Sequence, residues 1–282
     1  MLKLQAFAKI NLALDVLYKR QDGYHQVAMI MQSISLSDTL TLSRQPGGIT
    51  LSANLPELET DDRNLVYRAA SLLKETYGLN QGVHIHIDKD IPVAAGLAGG
   101  SSDAAAALKG LNQLWGLGLT LDELAGLGAK LGSDVPYCLY GGTMLAEGRG
   151  ELLTPLPALP ECWVVLAKPS AHVSTAWVYT NYRNDPSAVK PDLNGMRRSL
   201  QEQDLTGVAS KLGNVLERVT IPAYPEISRL KTKMLEHGAL ASLMSGSGPT
   251  VFGLADSQKK ARAIADEMEA DANARIIVAK TI

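Results

Sequence analysis

The chain has 282 residues, 46% hydrophobic and 20% charged, which excludes intrinsic disorder as its main state and suits one large domain or two small ones. Its 27 basic and 29 acidic residues leave a formal charge of −2, so no basic excess exists to hold a polyanionic backbone, and nucleic acid is excluded as the expected partner. Cys138 and Cys162 are the only cysteines, too few for a zinc site or a disulfide framework, and read as buried thiols in a reducing compartment. The N-terminus has no apolar run followed by a small-residue cleavage site, and no stretch reaches the roughly 18 apolar residues of a membrane helix. The expectation is a cytoplasmic protein that handles small molecules, without a membrane partner.

The opening third reads as β-rich. Residues 2–17 are apolar around Lys9 and Asn11, Gln21-Asp22-Gly23 supplies turn chemistry, and a second apolar run covers 27–36. Residues 40–43 and 49–52 read as further short strands. A helix follows, with Asp61 and Asp62 as candidate N-caps, Leu65, Ala69, Leu72, Leu73 and Thr76 at helical spacing, and Gly78 as its stop. Residues 83–87 alternate with period two, and His84 and His86 read as solvent-facing strand residues rather than metal ligands.

Residues 91–102 read as a loop and 103–115 as an alanine- and leucine-rich helix. Thr120 and Glu123 form a capping box for a helix that stops at Gly132. Asp134-Val135-Pro136 begins a short helical turn ended by Gly141-Gly142, residues 143–145 read as a strand, and Arg149-Gly150 as its turn. Pro155, Pro157 and Pro160 mark the expected boundary between domains at 1–155 and 160–282. Beyond it, 163–167, 251–254 and 275–279 read as strands, 205–219, 226–237 and 257–270 as helices, and 181–191 as a loop.

The loop before the alanine-rich helix carries the chemistry. It reads Pro92-Val93-Ala94-Ala95-Gly96-Leu97-Ala98-Gly99-Gly100-Ser101-Ser102-Asp103, with nothing bulkier than Val93 and Leu97 before its closing aspartate. Small side chains let backbone amides approach a ligand, and a helix N-terminus aims free amides and a positive dipole at an anion. Tight helix–strand packing would also use small residues, but it does not account for two serines and an aspartate at the helix start. The loop therefore reads as a phosphate cradle. It lacks the lysine of a Walker loop and the spacing of a dinucleotide fingerprint.

Residues 92–103 resemble the second motif of the GHMP kinases, the superfamily of galactokinase, homoserine kinase and mevalonate kinase. Ser245-Gly246-Ser247-Gly248-Pro249-Thr250-Val251-Phe252 is similar to the third motif, in the right order along the chain. Residues 6–12, Arg20 through His25, 131–136, 173–175 and 214–217 are similar to the branch of that superfamily that phosphorylates a cytidylylated sugar alcohol. Ala94, Ala95 and Ala98 depart from the glycines of many relatives, so a stiffer or displaced loop is expected. Val215 stands where an acidic residue is frequent.

The resemblance implies an α+β, two-domain GHMP-kinase-like architecture with the active site in the interdomain cleft. It implies transfer of the γ-phosphoryl of ATP, with Mg²⁺, to the 2-hydroxyl of 4-diphosphocytidyl-2-C-methyl-D-erythritol in non-mevalonate isoprenoid synthesis, by a monomer or homodimer. Residues 92–103 would bind ATP, and Ser245, Gly246, Ser247 and Gly248 form the third-motif loop. Asp134 matches the catalytic aspartate, although from the residues alone an N-cap role would be preferred. Lys9 matches its paired lysine; an edge-strand lysine reaching solvent is the plainer alternative. Tyr24 and His25 match the cytidine segment, Tyr179 the aromatic that stacks on the base, and Thr175 and Asn11 the substrate pocket. No residue is assigned as a metal ligand.

Overall fold

The computed structural model describes residues 1–185, 187–271 and 273–282. The chain forms two compact units, each built from separated segments: Met1–Ala8, Leu36–Val93 and Ala98–Gly141 in the first, and Lys9–Ser35, Ala94–Leu97 and Gly142–Ile282 in the second. The units are therefore not divided at the proline cluster. Two long strands cause this, β1 (Leu2–Lys19) and β2 (His25–Gln45), because each contributes one end to either unit. The runs 27–36 and 40–43, expected as separate strands, are one strand, since no glycine or proline lies between them.

In the first unit, β3 (Ile49–Ala53) is followed by α1 (Leu65–Tyr77), β4 (Gly82–Asp88), α2 (Gly99–Trp115), α3 (Leu121–Leu131) and α4 (Val135–Tyr140). The strands lie in the order β3-β4-β2-β1, with β4 antiparallel to β2 and β3 parallel to β4. Period-two alternation sends Val83, Ile85 and Ile87 into the core with Leu40 and Leu42, against Ala104–Leu108 of α2. The alanine run lets α2 approach the sheet closely: a Cβ on Gly110 would stand 2.7 Å from Leu4 and 2.8 Å from Leu42. His84 and His86, on the other face of β4, hydrogen-bond the hydroxyls of Thr50 and Ser52.

The cap of α1 differs from the expected Asp61 or Asp62. Asn64 takes the position, its Oδ1 accepting from the Val66 amide, while Asp61 pairs with Arg63 outside the helix. Gly78 closes α1 in the left-handed region at φ 62°, and Thr120 and Glu123 form the full capping box of α3. Helix α2 begins at Gly99 rather than Asp103, because Ala98 takes a left-handed turn and the Ser102 amide already donates to its carbonyl.

In the second unit come β5 (Thr143–Gly148), β6 (Leu152–Pro155), β7 (Trp163–Pro169), α5 (Thr175–Asn181), α6 (Leu193–Gln201), α7 (Leu205–Ala209), β8 (Gly213–Asn214), α8 (Glu217–Ala223), α9 (Glu226–Glu236), β9 (Ala241–Met244), β10 (Val251–Ala255), α10 (Gln258–Asp271) and β11 (Ala274–Lys280). An antiparallel sheet runs β11-β7-β10-β9, β5 pairs with β2 and β6, and β8 adds to β1 in parallel. The expected helix 205–219 is broken into α7, β8 and α8. Gly213 and Asn214 pair with Ala13 and Leu14 instead, and the Asn214 side chain is spent on tertiary bonds. Among the described residues no helix is long and apolar enough to cross a membrane.

Candidate active site

The glycine-rich loop is divided between the units, so it meets two sets of partners. Its tip, residues 94–97, packs in the second unit. There Gly96 accepts at its carbonyl from the Ser245 hydroxyl (3.0 Å) and from the Lys9 ammonium (3.3 Å), and the Lys9 amide donates to the Leu97 carbonyl (3.1 Å). A Cβ on Gly96 would stand 2.3 Å from the Ser245 carbonyl oxygen, and its φ is +75°, so the position admits glycine only. The two motifs that sequence placed about 150 residues apart are thus in backbone contact. Ala94 (φ 51°) and Ala98 (φ 59°) adopt the left-handed conformation that glycine takes more easily, at about 1–2 kcal/mol each.

At the helix side of the loop, within the first unit, the small residues have different partners. Ser102 is buried, and its hydroxyl donates to the Phe7 carbonyl at 2.6 Å. Asp103 is buried as well, and its Oδ2 accepts from Lys89 Nζ at 2.8 Å. Lys89 also donates to Asp38, whose Oδ1 accepts from the amides of Asp90 (2.6 Å) and Ile91 (2.8 Å). Of the twelve residues expected to contact ATP, these two polar side chains are turned into the fold, and Ala95 and Leu97 are buried as well. Gly99, Gly100 and Ser101 occupy the first turn of α2, whose dipole and unsatisfied amides suit an anion.

The third-motif loop joins β9 to β10 and is buried throughout residues 245–250. The Asn214 carboxamide holds it by donating to the carbonyls of Met244 (2.9 Å) and Gly246 (2.7 Å). Glu217 accepts from the Met244 amide at 2.9 Å and from Lys231 at 2.7 Å, and Thr220 donates to the Ser247 carbonyl. The segment 214–217, in which Val215 stands where an acidic residue is frequent, is thus the loop's support. Asn214 and Glu217 do the bonding, and Val215 is simply buried.

Lys9 is 4% exposed, which removes the reading as a lysine reaching solvent. Its ammonium donates to Asn11 Oδ1 at 2.7 Å, and Asn11 is itself fully buried, its amide against Met29 Sδ at 3.5 Å. Asn11 therefore orients Lys9 instead of lining an open pocket. Asp134 sits at the N-terminal boundary of α4, yet its side chain makes no capping bond there, so the cap reading does not hold.

The residues expected around a cytosine converge in the second unit. The Arg20–Tyr24 turn closes through Arg20 N to Tyr24 O (2.8 Å) and Tyr24 N to Asp22 Oδ1 (3.1 Å). The His25 and Tyr179 rings are 5.4 Å apart and inclined at 36°. Burial, then the charge of Lys19, hold the His25 pKa below its usual value, which favours the neutral ring. Tyr24 is 55% exposed, and the Arg149 guanidinium lies over its ring at 5.0 Å. Sequence reading took Arg149 only as a turn residue; no local pattern announces a contact made across 125 positions. Thr175 bonds the Ser247 hydroxyl at 2.8 Å, linking α5 to the third-motif loop.

Residues 64–142 match the GHMP kinases N terminal domain and residues 196–274 the GHMP kinases C terminal domain. A protein of Geobacillus kaustophilus named 4-diphosphocytidyl-2-C-methyl-D-erythritol kinase is 56% identical over 261 residues, covering 92% of this chain and 90% of that one. The protein of the same name from Enterococcus faecalis is 51% identical, with 92% of each chain covered. A crystal structure of 4-(cytidine 5'-diphospho)-2C-methyl-D-erythritol kinase superposes with a TM-score of 0.85 at 34% identity, covering 99% of both chains. The mevalonate kinase of L. major shares the fold, with a TM-score of 0.76 at 18% identity over 100% of this chain and 96% of its own. The chain belongs to the GHMP kinase family, a class of α+β enzymes that transfer phosphoryl groups from ATP to small molecules. Within that family its branch is that of the 4-diphosphocytidyl-2-C-methyl-D-erythritol kinases.

Proposed function

We propose that the chain transfers the γ-phosphoryl group of ATP to the 2-hydroxyl of 4-diphosphocytidyl-2-C-methyl-D-erythritol, giving the 2-phosphate and ADP. The observation that carries this reading is the junction of the two glycine-rich loops at Gly96 and Ser245, with the Lys9 ammonium donating to the same carbonyl. A cation at the meeting point of two phosphate-binding loops suits a reaction that spreads negative charge over the transferring group.

In this mechanism the bond from the 2-oxygen to γ-phosphorus forms as the bond from γ-phosphorus to the β-bridging oxygen breaks. Asp134 takes the alcohol proton, and Lys9, held by Asn11, stabilises the developing charge. The His25–Tyr179 ring pair and Tyr24 grip the unreactive cytidine, so its binding energy positions the hydroxyl. Mg²⁺, if bound with ATP, would supply positive charge to offset that of the phosphates. Among the described residues no three His, Cys, Asp or Glu gather into a cage.

The test is ATP consumption by purified protein with Mg²⁺ and the cytidylylated alcohol, beside mevalonate and homoserine. Turnover of the cytidylylated alcohol alone is expected. Turnover of a control instead would keep the kinase and overturn the cytidine site. Asp134→Asn is expected to lower kcat by about 10²- to 10⁴-fold while ATP binding persists; wild-type turnover in that variant would remove Asp134 from the mechanism.

A further inference from the structure

The Lys89–Asp38–Asp103 cluster stands where the nucleotide loop leaves and rejoins the first unit. Asp38, on β2, fixes the leading stem by accepting from the amides of Asp90 and Ile91. Asp103, on α2, fixes the trailing stem through Lys89, whose Nζ lies 3.2 Å from where a Cβ of Gly99 would stand. All three side chains are at most 5% exposed. Two carboxylates therefore share one ammonium out of water, and the cluster carries an excess negative charge whenever both are ionised. Asp38 accepts from two main-chain amides and from Lys89. Asp103 has one oxygen on Lys89 and its other, Oδ1, buried without a hydrogen-bond partner.

We propose that Asp103 is a positioning and charge-setting residue for the ATP-binding loop, acting through Lys89 and Asp38 rather than by touching the nucleotide, so that ATP binding and protonation of Asp103 favour one another. The charged groups that act on Asp103 are Lys89, on the connection after β4, and Asp38 on β2. Burial raises its pKa, Lys89 opposes that, Asp38 adds to it, and the result is about 7. Burial pulls Lys89 down, but Asp103 and Asp38 more than offset this, so the ammonium stays charged. Protonated Asp103 leaves the cluster neutral; ionised Asp103 places a net negative charge two residues from Ser101, on the helix turn offered to the polyphosphate. The inference rests on residues 92–102 being the nucleotide loop.

The sign for folding is the same. Above the ordinary aspartate pKa the unfolded chain has lost this proton while the folded one keeps it, so the cluster's contribution to stability falls as pH rises from about 4 to 7 and is level beyond.

The experiment is ATP affinity by titration calorimetry at pH 6.0 and 8.5, in wild type and Asp103→Asn, whose amide is neutral at both. The two proteins are expected to bind alike at pH 6.0, and the variant about fivefold tighter at pH 8.5, the low end of ordinary site-to-site coupling. Parallel affinities at both pH values would overturn the proposal. A second measurement needs no variant: the ¹³C carboxyl signal of Asp103 in the wild type must titrate near neutrality, with a midpoint that rises when ATP is added. A midpoint in the ordinary aspartate range, or one indifferent to ATP, would overturn it equally. Failure of the kinase reading looks different, as absent turnover with these titrations intact.

Discussion

Lys9 and Lys89 are both buried lysines near the same loop, one at its tip and the other at its stems. Lys89 donates to two carboxylates, which neutralise it and tie strand, loop stem and helix together. Lys9 donates to the Asn11 carboxamide oxygen and to the main-chain carbonyl of Gly96. The first arrangement braces the fold, and the second is the one proposed for the chemistry.

The sharpest way to break this comparison is to remove each cation in turn. Lys89→Met leaves two buried carboxylates facing each other, and is expected to cost about 3–5 kcal/mol of stability, read by denaturant unfolding. That is a large part of the usual 5–15 kcal/mol margin. Lys9→Met is expected to lower kcat by about 10²- to 10³-fold, measured by ATP consumption on the folded fraction. If the folded Lys9→Met protein turned over normally, Lys9 would be a second structural lysine and the contrast would vanish. The smallest effect concerns the loop both lysines serve. Ala98→Gly relieves a left-handed alanine at the cost of a freer unfolded chain, so a gain of at most about 1 kcal/mol in thermal stability is expected. A loss would mean that the Ala98 methyl group packs usefully.

Much of this site was legible as sequence because its signals are local. The run of small residues from 92 to 102, the alanines that make α2, and the Ser245–Gly248 loop each carry their meaning in consecutive positions. Period-two and helical spacing likewise gave β4, α3 and α9 nearly to the residue, since those elements bury one face. Where spacing misled, a tertiary bond had overridden propensity. Residues 205–219 are helix-forming in isolation, but Gly213 and Asn214 complete a sheet edge beside β1 instead. The proline cluster looked like a boundary, yet β1 and β2 are each long enough to serve both units.

The sequence by itself determined the chemistry this chain could attempt: a small-residue helix start suited to an anion, a second glycine-rich loop, a lysine in an apolar strand and an aspartate before a short helix. Only the tertiary structure decided which of those groups face inward. Ser102 and Asp103, neighbours of Ser101 in the same motif, are turned into the first unit by Phe7 and Lys89. Asn11 holds a lysine, and Asn214 holds a loop 30 residues away. The physical reason is that polar side chains leaving water must find partners, and those partners come from distant segments that packing, not spacing, brings within hydrogen-bond reach.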